Sequence, residues 1–361
     1  MSKDTDIKNW IRPEIQSLSA YHVPDPGNMV KLDAMENPFG WPDEMIVEWK
    51  SILGDAALNR YPDPGSKNLR EQIRTAFEVP DGMDILLGNG SDEIIQMIAM
   101  SVAEKGRVIL APEPGFVMYE MIARFVGMDY VGVPLQASDF SLDMPSMRAA
   151  IEKHRPAVIF IAYPNNPTGN LFNAEQVCEI IEMAPGLVVV DEAYTAFAED
   201  SFISRLGQFS NLVVMRTVSK MGLAGLRLGY LMGSTDWLNE FDKVRLPYNI
   251  NVLTQLTAGF ALKHKAVLDQ QTEKLKNERT KLSEHLSLIS GLKVFPSQAN
   301  FLLVHVEKGD ANIIFQKLKQ AGILIKNLAN APGALNNCLR ITVGQAEENQ
   351  KVIAALNSIM G

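Results

Sequence analysis

The chain is poor in the residues that build disulfide frameworks and metal centres: two cysteines and five histidines in 361 residues. Cys178 and Cys338 form no CxxC pair, and His22, His154, His264, His285 and His305 make no HExxH or paired-ligand pattern. Neither a disulfide scaffold nor a metal site is therefore predicted, and the cysteine usage suits a reducing compartment. Basic clusters are missing as well. The formal charge is −8 with no Lys/Arg-rich block, which argues against a nucleic-acid surface. No apolar run approaches the roughly 20 residues that span a bilayer. The opening "MSKDTDIKNW" has no apolar signal core, so a cytoplasmic location is expected. There is no GxGxxG and no GxxxxGK[ST], so nucleotide-binding readings lose their fingerprint.

What is present is a composition with 47% hydrophobic and 21% charged residues, enough for a sizeable core and, at this length, two domains. The middle of the chain alternates short apolar runs with helical stretches. The runs are "RVILA" (107–111), "AVIFIA" (157–162), "GLVVV" (186–190), "NLVVM" (211–215) and "RLGYLMG" (227–233). They are continuous in Val, Ile and Leu instead of alternating, which suits strands covered on both faces. The segment "SDEIIQMIAMSVAEKG" reads as a helix with Ser91 as N-cap and Gly106 past its end. These signals predict an α/β fold, a large three-layer αβα domain with a mostly parallel sheet. From about Asn251 to His285 the sequence reads as one long helix. Beyond it "LKVFPSQANFLLVHV" (292–306), a helix near 310–321, "GILIKN" and "NCLRITVG" (337–344) predict a smaller α+β domain. The first fifty residues, with Pro24, Pro26, Gly27, Pro38 and Gly40, read as an arm with little regular structure. The expected division is an N-terminal arm over 1–45 that contributes to the small domain, a large domain over 46–265 and a small domain over 266–361.

Three of the predicted strands end in polar groups of different chemistry. "AVIFIA" runs into "YPNNPTG" (163–169), "GLVVV" into "DEAY" (191–194) and "NLVVM" into "RTVSK" (216–220). In open α/β sheets ligands bind at the carboxyl ends of strands, so amide, carboxylate with phenol, and hydroxyl with amine converge where a ligand is expected. A single aspartate there is more often a turn cap; three dissimilar strand ends are harder to explain as turns. "LGNGSDE" (87–93) adds glycines before a helix start, where backbone amides and the helix dipole favour an anion.

Asn166 in "NNPTG", Asp191 and Tyr194 in "DEAY", and "SK" with a following arginine resemble the fold-type I aminotransferases that use pyridoxal phosphate, in order and in separation. The resemblance covers nearly the whole chain. It implies that Lys220 is the amine that joins the cofactor aldehyde and then moves a proton at the substrate's Cα. It implies Asp191 opposite the pyridine nitrogen, and Asn166 and Tyr194 on the ring's phenolic oxygen. Ser91, Asp92, Ser219 and Arg227 are implied around the cofactor phosphate, and Phe116 on the ring face with Tyr119 as the alternative. Many relatives place the arginine eight residues after the lysine; here it is seven, from Lys220 to Arg227.

"SAYHVPD" (19–25), "NRYPDP" (59–64), "LPYNIN" (246–251), "SQANFLLV" (297–304) and "NCLRITVG" resemble the histidinol-phosphate branch of that family. This implies a ping-pong exchange between glutamate and a phosphorylated amino alcohol, with Arg340 at the substrate phosphate beside Tyr21 and Asn166. Some members carry a second arginine about thirteen residues before; here Lys326 stands fourteen before Arg340. Tyr61 is implied to reach the cofactor phosphate of a second subunit, hence a homodimer. The competing readings are an aromatic amino acid aminotransferase, a phosphothreonine decarboxylase and, in a different class, a non-catalytic pyridoxal-phosphate sensor.

Overall fold

A computed structural model describes residues 7–20 and 23–361. Its strands, in chain order, are β1 (Val30–Leu32), β2 (Met83–Asn89), β3 (Val108–Glu113), β4 (Asp129–Pro134), β5 (Val158–Ala162), β6 (Leu187–Asp191), β7 (Leu212–Thr217), β8 (Leu228–Ser234), β9 (Leu292–Val294), β10 (Phe301–Val306), β11 (Ile323–Asn327) and β12 (Cys338–Thr342). They form a seven-stranded sheet, β2-β8-β7-β6-β5-β3-β4, and a five-stranded sheet, β1-β11-β12-β10-β9. In the larger sheet only β8 runs against its two neighbours; the other pairings are parallel.

The continuous apolar runs are explained by cover on both sides. Every residue of β5 and β6 is buried. Ile159, Ile161, Val188, Val190 and Val214 pack into a core on one face, and Val158, Phe160, Val189, Val213 and Met215 into a core on the other. Burying each such side chain contributes about 1.5–3 kcal/mol relative to exposure. The five-stranded sheet has its own core, in which Leu302, Val304, Ile325, Leu339 and Ile341 meet Leu275, Leu282, Leu318 and Val352 from helices. Among the described residues no helix is long and apolar enough to cross a membrane.

Register brings the chemistry to one edge of the large sheet. Ala162 at the end of β5 pairs with Asp191 at the end of β6, and Asp191 with Met215 of β7. β8 is antiparallel, so its first residues lie beside the end of β7, with Thr217 opposite Gly229. β2 is antiparallel to β8 in turn and delivers Asn89 to the same edge, opposite Leu228. The strand ends that carry Asn166, Asp191 and Lys220 are thus neighbours, and the start of the helix Ser91–Val102 joins them.

Four local expectations need correction. The N-cap of the helix Ser91–Val102 is Gly90, not Ser91, because the chain enters with φ 80° and ψ 171°, a conformation only glycine takes readily. The same helix stops at Val102 and leaves the sheet-bound turn to Gly106, at φ 82°. The long helix is two, Val252–Lys263 and Lys265–Ser287. His264 breaks it: its backbone sits at φ −102°, ψ 26°, its ring packs 4.6 Å from that of Phe260, and its Nε2 lies 3.3 Å from Glu48. The first fifty residues also hold more structure than expected. Asp43–Gly54 is a helix, begun after Pro42 with Asp43 and Glu44 in its first turn and anchored by Trp49 Nε1 donating to Thr257. β1 pairs in parallel with β11, so this early segment belongs to the five-stranded sheet.

Candidate active site

A cavity of about 410 Å³ opens at the shared edge of the strand ends, lined by Ser91, Asp92, Phe116, Asn166, Asp191, Tyr194, Ser219, Lys220 and Arg227. Nine residues singled out in the sequence therefore meet in one place. Arg340 stands behind Asn166, Lys326 lies across the strand from Arg340, and neither Lys326 nor Tyr61 lines the cavity. Tyr21 lies outside the described residues.

Lys220 follows β7 on a short 3-10 turn, Ser219–Met221, and points its Nζ at the carbonyl of Ala34, 3.3 Å away. The ring of Tyr194 lies beneath the amine at 5.7 Å. Desolvation, and then the charge of Arg340, lower its pKa to about 8, with Glu36 opposing them. Asp191 shows the opposite shift. Burial raises its carboxyl to about 6, against the Tyr119 hydroxyl and the Ala193 amide, which stabilise the ionised form. Tyr119 Oη donates to Oδ2 at 2.7 Å and Ala193 N–H to Oδ1 at 3.1 Å. Phe116 presents its ring to the cavity, whereas Tyr119 is turned beneath Asp191 and meets Phe116 edge-on at 5.5 Å.

A hydrogen-bonded chain links the two sheets across the site. Arg340 donates from one guanidinium nitrogen to Asn166 Oδ1 at 2.5 Å and from another to the carbonyl of Asp33 at 2.9 Å. Asn166 Nδ2 in turn donates to the Tyr194 hydroxyl at 3.1 Å. Lys326 is the cross-strand partner of Arg340; burial and that guanidinium lower its pKa, while Asp33 counteracts them. Two cations held this close suit an anion of more than one charge.

The opposite end of the cavity is built for an anion too. Ser91 and Asp92 open the helix Ser91–Val102, whose first amides have no partner within the helix. Arg227 reaches back to Asp92 at 3.4 Å, both side chains half exposed. The short Lys220–Arg227 connection is accommodated by two left-handed residues, Gly222 at φ 100° and Arg227 itself at φ 49°. A Cβ on Gly90 would come within 2.7 Å of that guanidinium, and one on Gly229 within 2.6 Å of the Gly90 backbone, so the glycines let strand, helix start and arginine close around a small space. Ser219 is buried with its Oγ 2.8 Å from Thr217 Oγ1. A helix start with an arginine suited to a phosphate, an aromatic side chain, a buried carboxylate and an amine of lowered pKa match the needs of pyridoxal phosphate.

Sequence reasoning missed Thr217 and the segment Ala34, Met35 and Glu36, all of which line the cavity. Thr217 was within reach: it precedes Ser219 by two residues and shares its face of the chain. The 34–36 segment gives no such signal. It is placed by distant partners, with Thr342 Oγ1 accepting from Met35 N and Asn300 Nδ2 donating to Met35 O.

Residues 27–356 match the family model "Aminotransferase class I and II". The chain is 51% identical over 358 residues to "Histidinol-phosphate aminotransferase 2" of Nitrosococcus oceani, covering 99% of each protein. It is 46% identical to "Histidinol-phosphate aminotransferase" of Neisseria meningitidis, covering 98% of this chain and 97% of that one. Among solved structures it resembles histidinol-phosphate aminotransferase from Sinorhizobium meliloti in complex with pyridoxal-5'-phosphate, with a TM-score of 0.86, 27% identity and 97% of each chain covered. L-threonine-O-3-phosphate decarboxylase from Porphyromonas gingivalis shares the fold, with a TM-score of 0.78 at 24% identity, 92% of this chain and 99% of that one being covered. The chain belongs to the class I and II aminotransferases, pyridoxal-phosphate enzymes of fold type I.

Proposed function

We propose that the chain exchanges an amino group between histidinol phosphate and 2-oxoglutarate, giving imidazole acetol phosphate and glutamate, as a step of L-histidine biosynthesis in the cytoplasm. The observation that carries the substrate is the Arg340–Lys326 cross-strand pair behind Asn166, a residue of the cavity wall, in addition to the Ser91 helix start and Arg227 in that wall. The relatives' names point the same way. When bound, pyridoxal phosphate supplies an aldehyde that takes up the amine and a ring that draws electrons from the carbon losing its proton.

The residues divide that work. Asp191 sets a negative charge opposite the ring nitrogen, and Asn166 and Tyr194 hold the phenolic oxygen. Phe116 covers a ring face. Ser91, Ser219, Arg227 and the amides of Ser91 and Asp92 hold the cofactor phosphate. Lys220, whose neutral form is well populated near pH 8, removes the proton from the substrate's Cα. Arg340 and Lys326 take the substrate phosphate in one half of the cycle and a glutamate carboxylate in the other, with Tyr21 as a further donor. We further propose that an arm (1–45), a large domain (46–265) and a small domain (266–361) form the functional units, in keeping with two sheets that have separate cores.

The test is a single half-reaction followed by absorbance on protein loaded with pyridoxal phosphate. Histidinol phosphate is expected to convert the bound cofactor to its amine form rapidly and phenylalanine slowly. Equal or faster conversion by phenylalanine would make this an aromatic aminotransferase. Release of carbon dioxide from phosphothreonine would make it a decarboxylase.

A homodimer with shared sites completes the proposal. Tyr61 is 80% exposed and stacked 4.4 Å from Tyr248, with exposed Leu58 and Leu246 close by in sequence, an apolar surface suited to a second copy. Mixing Lys220→Ala with Tyr61→Ala protein should then regenerate intact sites in the mixed dimers, up to about a quarter of wild-type activity by random pairing. Activity after mixing that only averages the two variants would place Tyr61 outside the partner's site.

A further inference from the structure

Tyr119 is fully buried in the large domain, beneath the cavity and not in its wall. Its ring stacks on Phe160 of β5 at 4.7 Å with an interplanar angle of 10°, and it meets the edge of Phe116 at 5.5 Å. These contacts fix the ring in a plane, leaving the hydroxyl one direction in which to donate, toward Asp191 Oδ2 at 2.7 Å. The other carboxylate oxygen takes the Ala193 amide. With one donor on each oxygen, the Asp191 carboxylate cannot rotate without breaking a bond, and Asp191 is part of the cavity wall.

We propose that Tyr119 is a positioning residue for the amino transfer: its hydroxyl holds Asp191 in the orientation and the charge state that the cofactor's ring nitrogen requires. This rests on the reading of the cavity as a pyridoxal-phosphate site. A phenol that only filled space would not need its hydroxyl; phenylalanine would stack on Phe160 equally well. Charge is the harder part of the task. Asp191 is enclosed, and Asp92 and Glu192 both disfavour its ionisation. Glu192 is largely compensated by the buried guanidinium of Arg216 at 2.7 Å, and Asp92 by Arg227. Tyr130 and Tyr194 also act on Tyr119. Tyr119 Oη and the Ala193 amide both donate directly to the carboxylate. The burden falls on the pair, since each charge-assisted bond favours the ionised form. Burial, and then the Asp191 interaction, hold the Tyr119 phenol well above its ordinary pKa, so it stays a donor throughout the working range.

Tyr119→Phe tests this, with Phe160→Leu as the control that loosens the same stack but keeps the hydroxyl. The first readout is the ionisation of Asp191 in the cofactor-free protein, by isotope-edited infrared difference against Asp191→Asn. Tyr119→Phe should raise the midpoint by about one pH unit, a tenfold change in the ionisation constant, and Phe160→Leu should leave it in place. The second readout is the loaded enzyme. In Tyr119→Phe, kcat should fall at neutral pH and recover as pH rises, with KM for the amino donor unchanged. An unshifted midpoint in Tyr119→Phe, or an equal shift in Phe160→Leu, overturns the proposal. Failure of wild-type protein to turn over any amino donor would instead count against the functional reading, since the infrared titration needs no substrate.

Discussion

Lys220→Ala will abolish amino transfer while the protein stays folded. The side chain is bound to the fold by one long hydrogen bond, to the Ala34 carbonyl at 3.3 Å, and its removal empties space that is already part of the cavity. The strand before it is held by other means: every residue of β7 is buried, and the Thr217–Ser219 contact and the Thr217–Leu228 bond persist without the amine. Loss of the group that moves the proton should lower turnover by about 10⁴-fold, the upper end of what one positioned acid–base group supplies. The reason is the tuned pKa. A lysine at its ordinary value is neutral roughly one part in three thousand at pH 7, whereas at about 8 it is neutral roughly one part in ten. The sign follows: loss of the ammonium proton generates the base, so reaction of Lys220 with an amine-directed reagent in the cofactor-free protein should rise with pH about a midpoint near 8. Circular dichroism and single-turnover absorbance decide the mutational claim. Retained turnover in Lys220→Ala, or a reactivity midpoint near 10.5, would remove Lys220 from the mechanism.

The sequence was most legible where one strand or one turn carries its own signal. Buried parallel strands announce themselves as unbroken Val and Ile runs, and the polar residues that end β5, β6 and β7 are adjacent in sequence to those runs. Five of those residues, Asn166, Asp191, Tyr194, Ser219 and Lys220, line one cavity because parallel register places the three strand ends side by side. Contacts between distant segments were not legible. Nothing in "LDAMENPFG" announces that β1 pairs with β11, or that Met35 takes φ 53° and leaves Ala34 O facing Lys220. The break at His264 escaped for a related reason. Helix periodicity continues across it, and the packing that turns the chain there involves Glu48, more than two hundred residues away in sequence. Tyr119 shows the limit at a single position. A tyrosine three residues after Phe116 is a fair candidate for ring stacking, and only the fold shows it turned beneath Asp191.

Arg340→Ala should cost the phosphorylated substrate much more than it costs phenylalanine. Arg340 is buried on β12 and donates to Asn166 Oδ1 in the site and to the Asp33 carbonyl in the scaffold, so it serves both the site and the fold. Removing a buried, hydrogen-bonded charge from its partner typically costs 2–5 kcal/mol, so kcat/KM for histidinol phosphate should fall by about 10²–10³-fold. Phenylalanine should lose roughly tenfold, because Asn166 also loses the donor that orients it toward Tyr194. Lys326 is a replacement charge on the neighbouring strand, but with Arg340 gone its own burial still disfavours the ammonium, and it lacks the two-pronged geometry of a guanidinium. Arg340→Lys should accordingly recover part of the loss for the phosphate ester and little of the orientation of Asn166. The two substrates separate the two roles of the same side chain. A much larger loss for histidinol phosphate than for phenylalanine places the dianion at the junction of the two sheets, where Arg340 and Lys326 face each other across neighbouring strands. Equal losses would mean that Arg340 reads a carboxylate or serves only to hold Asn166, and the substrate phosphate would then have to be bound elsewhere in the cavity.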